Sequence, residues 1–147
     1  MANYYQGTFT PKNPEKYVGD VSKIIFRSSW EQKFMIWVDN NKSIIKWNSE
    51  EIIIPYISPI DNLPHRYFPD FTLLCRQTNG GTQKVIVEIK PLSQTREPKK
   101  PKRMTPRFLS EVKTWAVNNA KWDAAKLYAA KLNMQFVILT ERELGIK

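Results

Sequence analysis

Two acids and one amine in this 147-residue chain have the types and spacing for hydrolytic chemistry. The segment Val85-Ile86-Val87-Glu88-Ile89-Lys90 reads as a strand, in which successive side chains point to opposite faces. Val85, Val87 and Ile89 then share one face, and Ile86, Glu88 and Lys90 share the other. A carboxylate and an ammonium two positions apart thus project together from a strand apolar enough to be buried. Asp70 lies upstream, in Pro69-Asp70. Residues 67–76 read as a strand, Thr78-Asn79-Gly80-Gly81 as a turn and 82–90 as a second strand, the clearest hairpin in the sequence. A turn centred on Asn79 sets Asp70 opposite Glu88, and one centred on Gly80 sets it opposite Lys90. A tight Asn79-Gly80 turn sends Asp70 to the other face unless a bulge intervenes.

In the first two registers, two carboxylates and one lysine converge on one side of a sheet. Two carboxylates a few ångströms apart repel, and both cannot ionise cheaply at neutral pH. A divalent cation removes that cost. Oxygen ligands from Asp and Glu, completed by water and a substrate phosphate, suit Mg²⁺. Such an ion lowers the pKa of a bound water and stabilises charge on a phosphodiester under attack. Lys90 can orient or help deprotonate that water, or neutralise the pentavalent centre. The plain alternative is a surface strand with a solvated Glu-Lys pair.

The elements that must position these groups are legible in outline. A first helix is predicted over 29–38. Ser28 is its N-cap, and Glu31 stands three positions later, as in a capping box. Trp30, Phe34, Trp37 and Val38 recur at helical spacing as an apolar stripe. Residues 1–22 read as an extended arm, whose aromatics Tyr4, Tyr5, Phe9 and Tyr17 can dock on the core or on a partner. Residues 43–47 and 52–57 are rich in Ile and aromatics and read as strands. Residues 58–64 read as a loop. A helix is expected over 108–132, with a break near Asn118-Asn119 and a core face of Val112, Trp115, Ala116, Trp122, Ala125, Tyr128, Ala129 and Leu132. Lys126 and Lys131 fall on its solvated face. A short strand over 134–140 and a last helical turn over 141–145 follow. The order points to a mixed α/β fold with a small sheet.

The net charge is +9, from 23 basic and 14 acidic residues, and its placement is uneven. Residues 91–147 carry 12 basic and 5 acidic side chains, so most of the excess lies there. Within it, residues 91–107 hold four prolines and six basic residues, Arg96, Lys99, Lys100, Lys102, Arg103 and Arg107. Prolines at that density exclude a continuous helix or an inner strand. A long basic loop beside the acid pair suits a clamp on nucleic-acid phosphates. With six phosphate contacts, log affinity against log salt would fall with a slope of about −5. No base-reading motif is present, so any specificity is expected from DNA shape or ends.

Composition excludes other classes. The longest apolar run is five residues, 34–38, too short for a membrane-spanning helix. The first residues lack the basic flank and apolar stretch of a signal peptide. Cys75 and His65 are the only residues of their types, so neither an internal disulfide nor a closed zinc site of the usual kind is expected. A soluble protein made in a reducing cytoplasm is expected. His65 reads as a structural loop residue.

The pattern of Pro69-Asp70, then 17 residues, then Glu88-Ile89-Lys90 resembles the PD-(D/E)XK nuclease signature. His65-Arg66-Tyr67-Phe68-Pro69-Asp70-Phe71 is similar to a segment of the TnsA-type transposon endonucleases and their phage relatives. Ser28-Ser29-Trp30-Glu31 resembles their helical glutamate motif, and the segment from Phe136 to Leu144 resembles their closing strand. The resemblance implies a restriction-endonuclease-like αβββαβ core with helices flanking the sheet. It divides the chain into an arm, 1–22, and a nuclease domain, 23–147. It implies cleavage of double-stranded DNA, dependent on Mg²⁺ with Mn²⁺ able to substitute. Asp70 and Glu88 match the paired metal ligands, Glu31 the helical acid that helps hold the metal directly or through water, and Lys90 the catalytic lysine. Glu50-Glu51 is the alternative source of the upstream acid. For the phage branch, the resemblance implies a role in head completion, after DNA packaging and before tail attachment. Portal or neck proteins would be partners, in the host cytoplasm during assembly or in the virion. A transposition or recombination endonuclease, and a non-catalytic DNA-capping protein on the same fold, remain open.

Overall fold

A computed structural model of the chain describes residues 6–146, so Tyr4 and Tyr5 of the arm lie outside the described residues. Two-residue strands β1 (Gly7–Thr8) and β2 (Ile25–Phe26) pair with each other ahead of helix α1 (Ser29–Asn40). Strand β3 (Ile44–Ser49) follows, then a ribbon of β4 (Ile54–Ile57) and β5 (Pro64–Tyr67). The hairpin is β6 (Phe71–Arg76) and β7 (Thr82–Ile89). Helix α2 (Pro106–Lys131), strand β8 (Gln135–Leu139) and helix α3 (Glu141–Leu144) complete the chain. The central sheet has the order β3-β6-β7-β8, antiparallel except for β8, which runs parallel to β7. The expected αβββαβ core is therefore present, with the β4–β5 ribbon inserted before β6.

Alternation along β7 builds both faces of the sheet. Val85, Val87 and Ile89 join Phe34, Met35 and Val38 of α1 on one side, together with Phe9, Tyr17, Ile24, Trp47 and Phe71. Ile86 points the other way, into a cluster with Trp122, Ala125 and Ala129 of α2 and with Ile54 and Tyr67 of the ribbon. Glu88, two residues on, shares the α2 side.

Residues 9–17 dock on the first face. Phe9 and Tyr17 meet Trp47 edge-on, at centroid distances of 6.0 and 4.8 Å. The buried Asp39 carboxylate accepts from Lys12 N and Asn13 N, at 2.7 and 3.1 Å. Lys16 Nζ donates to the carbonyls of Val38, Asp39 and Asn41. The Val38 carbonyl also accepts from Asn41 N, and the Asp39 carbonyl from Asn13 Nδ2, so the ammonium adds charge-assisted bonds at the negative end of the α1 dipole.

Several elements depart from the sequence reading. On α1 the inward stripe is Phe34, Met35, Val38 and Asp39; Trp37 is 52% exposed and stacks on Phe34 at the rim. The strand expected over 67–76 is cut in two, because Pro69 has no N–H for the ladder. Helix α2 starts at Pro106, whose fixed φ suits the first turn, with Thr105 Oγ1 accepting from Phe108 N. It runs without a break through Asn118-Asn119: Asn118 is buried, and Asn119 Nδ2 donates to the Trp115 carbonyl. Val112 and Leu132 turn to solvent, outside the core face assigned to them.

Candidate active site

The hairpin register decides whether the acids meet. Phe71 opposes Val87 and Thr72 opposes Ile86, which centres the turn on Asn79. Continued by one residue, this register brings Asp70 level with Glu88. Asp70 follows the fully buried Pro69 and leads into β6. Its Oδ2 accepts from Ile89 N at 2.8 Å, and its carbonyl accepts from Glu50 N at 3.1 Å. The side chain is thus stapled to the end of β7 by its own neighbour across the sheet.

Glu88 is 6% exposed. Its Oε1 accepts from the Tyr67 hydroxyl at 2.8 Å, and its Oε2 lies 3.9 Å from Lys90 Nζ. Lys90 keeps 28% of its side chain exposed, enough to reach a bound ligand. The strand alternation that paired Glu88 with Lys90 therefore holds.

Glu31 arrives from the first turn of α1. Ser28 Oγ accepts from Glu31 N at 3.1 Å, as the N-cap reading required. The reciprocal half differs: Glu31 Oε1 accepts from Arg27 N at 3.2 Å, one residue before the cap. Glu50 is occupied by the Arg27 guanidinium, at 3.0 and 3.3 Å, and Glu51 is exposed.

Electrostatics tie these groups into one field. Burial raises the Asp70 carboxyl well above the usual carboxylate range, and the neighbouring Glu88 and Glu31 charges raise it further against the Ile89 N–H and Lys90. Burial also raises Glu88, opposed by the Tyr67 hydrogen bond and Lys90. Glu31 is raised by burial first, with Glu50 and Glu88 adding repulsion. The donors are all hard oxygens, and their ionisation is unfavourable until a cation joins them, so the set fits a divalent ion. Asp70 and Glu88 are the pair that could hold one. Among the described residues no three acidic, His or Cys side chains form a ready-made cage, and Glu31 reaches the pair through its field.

Two residues at the site escaped the sequence reading. One is Tyr67, the hydroxyl that orients Glu88. The other is Lys121 of α2, half-buried, with Nζ 5.7 Å from the Tyr67 ring centroid and 6.0 Å from that of Tyr56. Burial lowers its pKa, Lys90 lowers it further, and Glu88 and Asp70 pull it back up. A signal existed: Lys121 stands three residues after the buried Asn118 and four before the buried Ala125, on the inward side of α2.

The basic segment begins beside the site and leaves it. Lys90 N donates to the Leu139 carbonyl, and Leu92 N to Glu141 Oε1 at 2.6 Å. A 3₁₀ turn, Leu92–Thr95, follows. Arg96, Lys99, Lys100, Lys102 and Arg103 are exposed in the loop. Arg107 is placed in the first turn of α2, 3.9 Å from Glu111. Arg96 and Arg107 line a cleft of about 380 Å³ with Trp115 and Asn118. His65, expected in a loop, stands instead in strand β5 opposite Tyr56, and its Nε2 hydrogen-bonds Asp61 Oδ2 at 2.7 Å.

Residues 41–141 match the TnsA-like endonuclease N-terminal family. That span contains Asp70, Glu88, Lys90 and Lys121, and Glu31 lies before it. The chain is also 43% identical over 150 residues to the head completion nuclease of Enterobacteria phage T4, a match covering 97% of each protein. The chain therefore belongs to the TnsA-like endonuclease family and is, by class, an endonuclease.

Proposed function

We propose that this protein is a Mg²⁺-dependent DNA endonuclease acting in the completion of a phage head, with Asp70 and Glu88 as the metal ligands. The observation that carries the reading is the acid pair, Asp70 at the entry to β6 and Glu88 on the adjoining β7, with Lys90 Nζ 3.9 Å from Glu88 Oε2. The near full-length similarity to the phage T4 protein supports the biological setting. In that setting the substrate is packaged double-stranded DNA, the site of action is the host cytoplasm during assembly, and portal or neck proteins are the neighbours.

A bound divalent ion supplies Lewis-acid stabilisation of the phosphodiester and a water of lowered pKa. The chain's own residues do the positioning. The Ile89 N–H fixes one oxygen of Asp70, and the Tyr67 hydroxyl fixes one oxygen of Glu88, so both carboxylates are held in place and would lose little freedom on binding an ion. Lys90 presents an ammonium to a phosphate oxygen or to the attacking water. Glu31 adds negative charge from α1 and would support a bound ion through its field or an intervening water. The exposed cations Arg96, Lys99, Lys100, Lys102, Arg103 and Arg107 hold the flanking backbone.

The test is incubation of supercoiled plasmid with the protein in Mg²⁺, Mn²⁺ or EDTA, beside a Lys90→Ala variant. Metal-dependent nicking that disappears in the variant is expected. Cutting in EDTA, or cutting untouched by the variant, overturns the mechanism. DNA binding with no cutting in either metal identifies a capping protein instead.

A further inference from the structure

We infer that Lys121 contacts a DNA phosphate at the reaction centre, as a second substrate-binding cation beside that of Lys90. The inference rests on the endonuclease reading and adds a residue from a different element. Lys121 is half-buried, and a covered ammonium is costly unless something compensates it. Among the described residues it makes no hydrogen bond and no ion pair. It sits instead against two aromatic rings, Tyr67 at 5.7 Å and Tyr56 at 6.0 Å. Such contacts hold a cation in place without consuming its N–H donors. All three donors of the ammonium are therefore available to a ligand.

The surroundings select the ligand. Asp70 and Glu88 attract the Lys121 charge, and Lys90 repels it, so the acid pair has one cation just past the end of β7 and another on α2. An anion arriving beside the acid pair relieves the repulsion between the two ammoniums. A phosphodiester is the anion that an endonuclease brings there. The cradle also links the contact to the acids: the ring beneath Lys121 belongs to Tyr67, whose hydroxyl holds Glu88. A lysine serving only to shield the acid pair is the rival, and the two roles give different readouts.

The experiment compares wild type, Lys121→Met, which keeps the stem and removes the charge, and Lys121→Arg. The substrate is a labelled DNA duplex, with binding measured against salt and cleavage measured at saturating DNA in Mg²⁺. The proposed contact predicts a salt slope reduced by about one in Lys121→Met. It also predicts cleavage roughly ten- to a hundred-fold slower, partial rescue by Lys121→Arg, and an unchanged rise of Tm with added Mg²⁺. Wild-type cutting and wild-type salt slope in Lys121→Met overturn it. An unchanged slope with a lost Mg²⁺ response also overturns it and assigns the shielding role. If Lys121→Met fails to fold, the same measurements on Lys121→Gln decide. A wild-type protein that never cuts refutes the endonuclease reading, while the salt slopes still test the phosphate contact.

Discussion

The Tyr67 hydroxyl donates to Glu88 Oε1 at 2.8 Å, joining the last residue of the β4–β5 ribbon to the acid on β7. Burial and the Glu88 charge push the Tyr67 phenol well above its ordinary pKa, so it stays a donor at every working pH. Tyr67→Phe removes the donor and keeps the ring. A hydrogen bond to a charged group is worth about 1.5–3 kcal/mol. Cleavage at saturating DNA is expected to fall roughly ten- to a hundred-fold, and Tm by several degrees, because the buried Glu88 loses its donor. Rates within two-fold of wild type would show that Glu88 needs no such support.

Asp70 and Glu88 make the metal-free protein less stable as pH rises. Both have folded-state pKa values above those of the unfolded chain, because of burial and, at Asp70, the Glu88 charge. A carboxylate with a raised folded pKa costs nothing below its unfolded pKa. Its cost grows as pH climbs through the interval up to the raised value, and is complete beyond it. Thermal scans in EDTA should therefore show Tm falling across that interval, with a smaller fall for Asp70→Asn. The variant should also be the more stable form at neutral pH, yet inactive. Added Mg²⁺ should raise Tm by mass action in wild type alone. An Asp70→Asn protein less stable than wild type at neutral pH would contradict the account.

Glu31 has a capping role and a site role, and substitution can separate them. Ser28→Ala removes the side-chain acceptor of the α1 cap and should cost about 1 kcal/mol in urea unfolding, with cleavage largely kept. Glu31→Gln keeps an acceptor for Arg27 N and removes the charge. It should leave stability close to wild type and slow cleavage about 10–100-fold, as for a group that tunes a metal ligand. Equal effects of the two variants on cleavage would reduce Glu31 to a capping residue.

The basic segment should matter for binding and little for chemistry. Replacing Lys99, Lys100, Lys102 and Arg103 together by Ala should flatten the salt dependence of DNA affinity by about 0.9 for each phosphate no longer neutralised. The rate at saturating DNA should hold. Filter binding across a salt series, paired with single-turnover cleavage, distinguishes this from a segment that acts inside the site.

Local chemistry determined much of this protein in advance. Alternation along a strand is a property of the backbone, so the pairing of Glu88 with Lys90 could be read from six residues. The same holds for the Ser28 cap, which depends on one hydroxyl and the N–H groups beside it. Long-range choices were not available to that reading. Three hairpin registers remained open for residues 67–90, and packing selected the one that sends Val87 and Phe71 to the α1 side of the sheet. Lys121 lies 31 residues beyond Lys90 and reaches the site because α2 packs across β4 and β8, an arrangement no local pattern encodes. Trp37 and the unbroken run through Asn118-Asn119 went against local expectation for the same reason. Which side of a helix is inside, and whether a weak helical dipeptide bends, is settled by the surface it must cover.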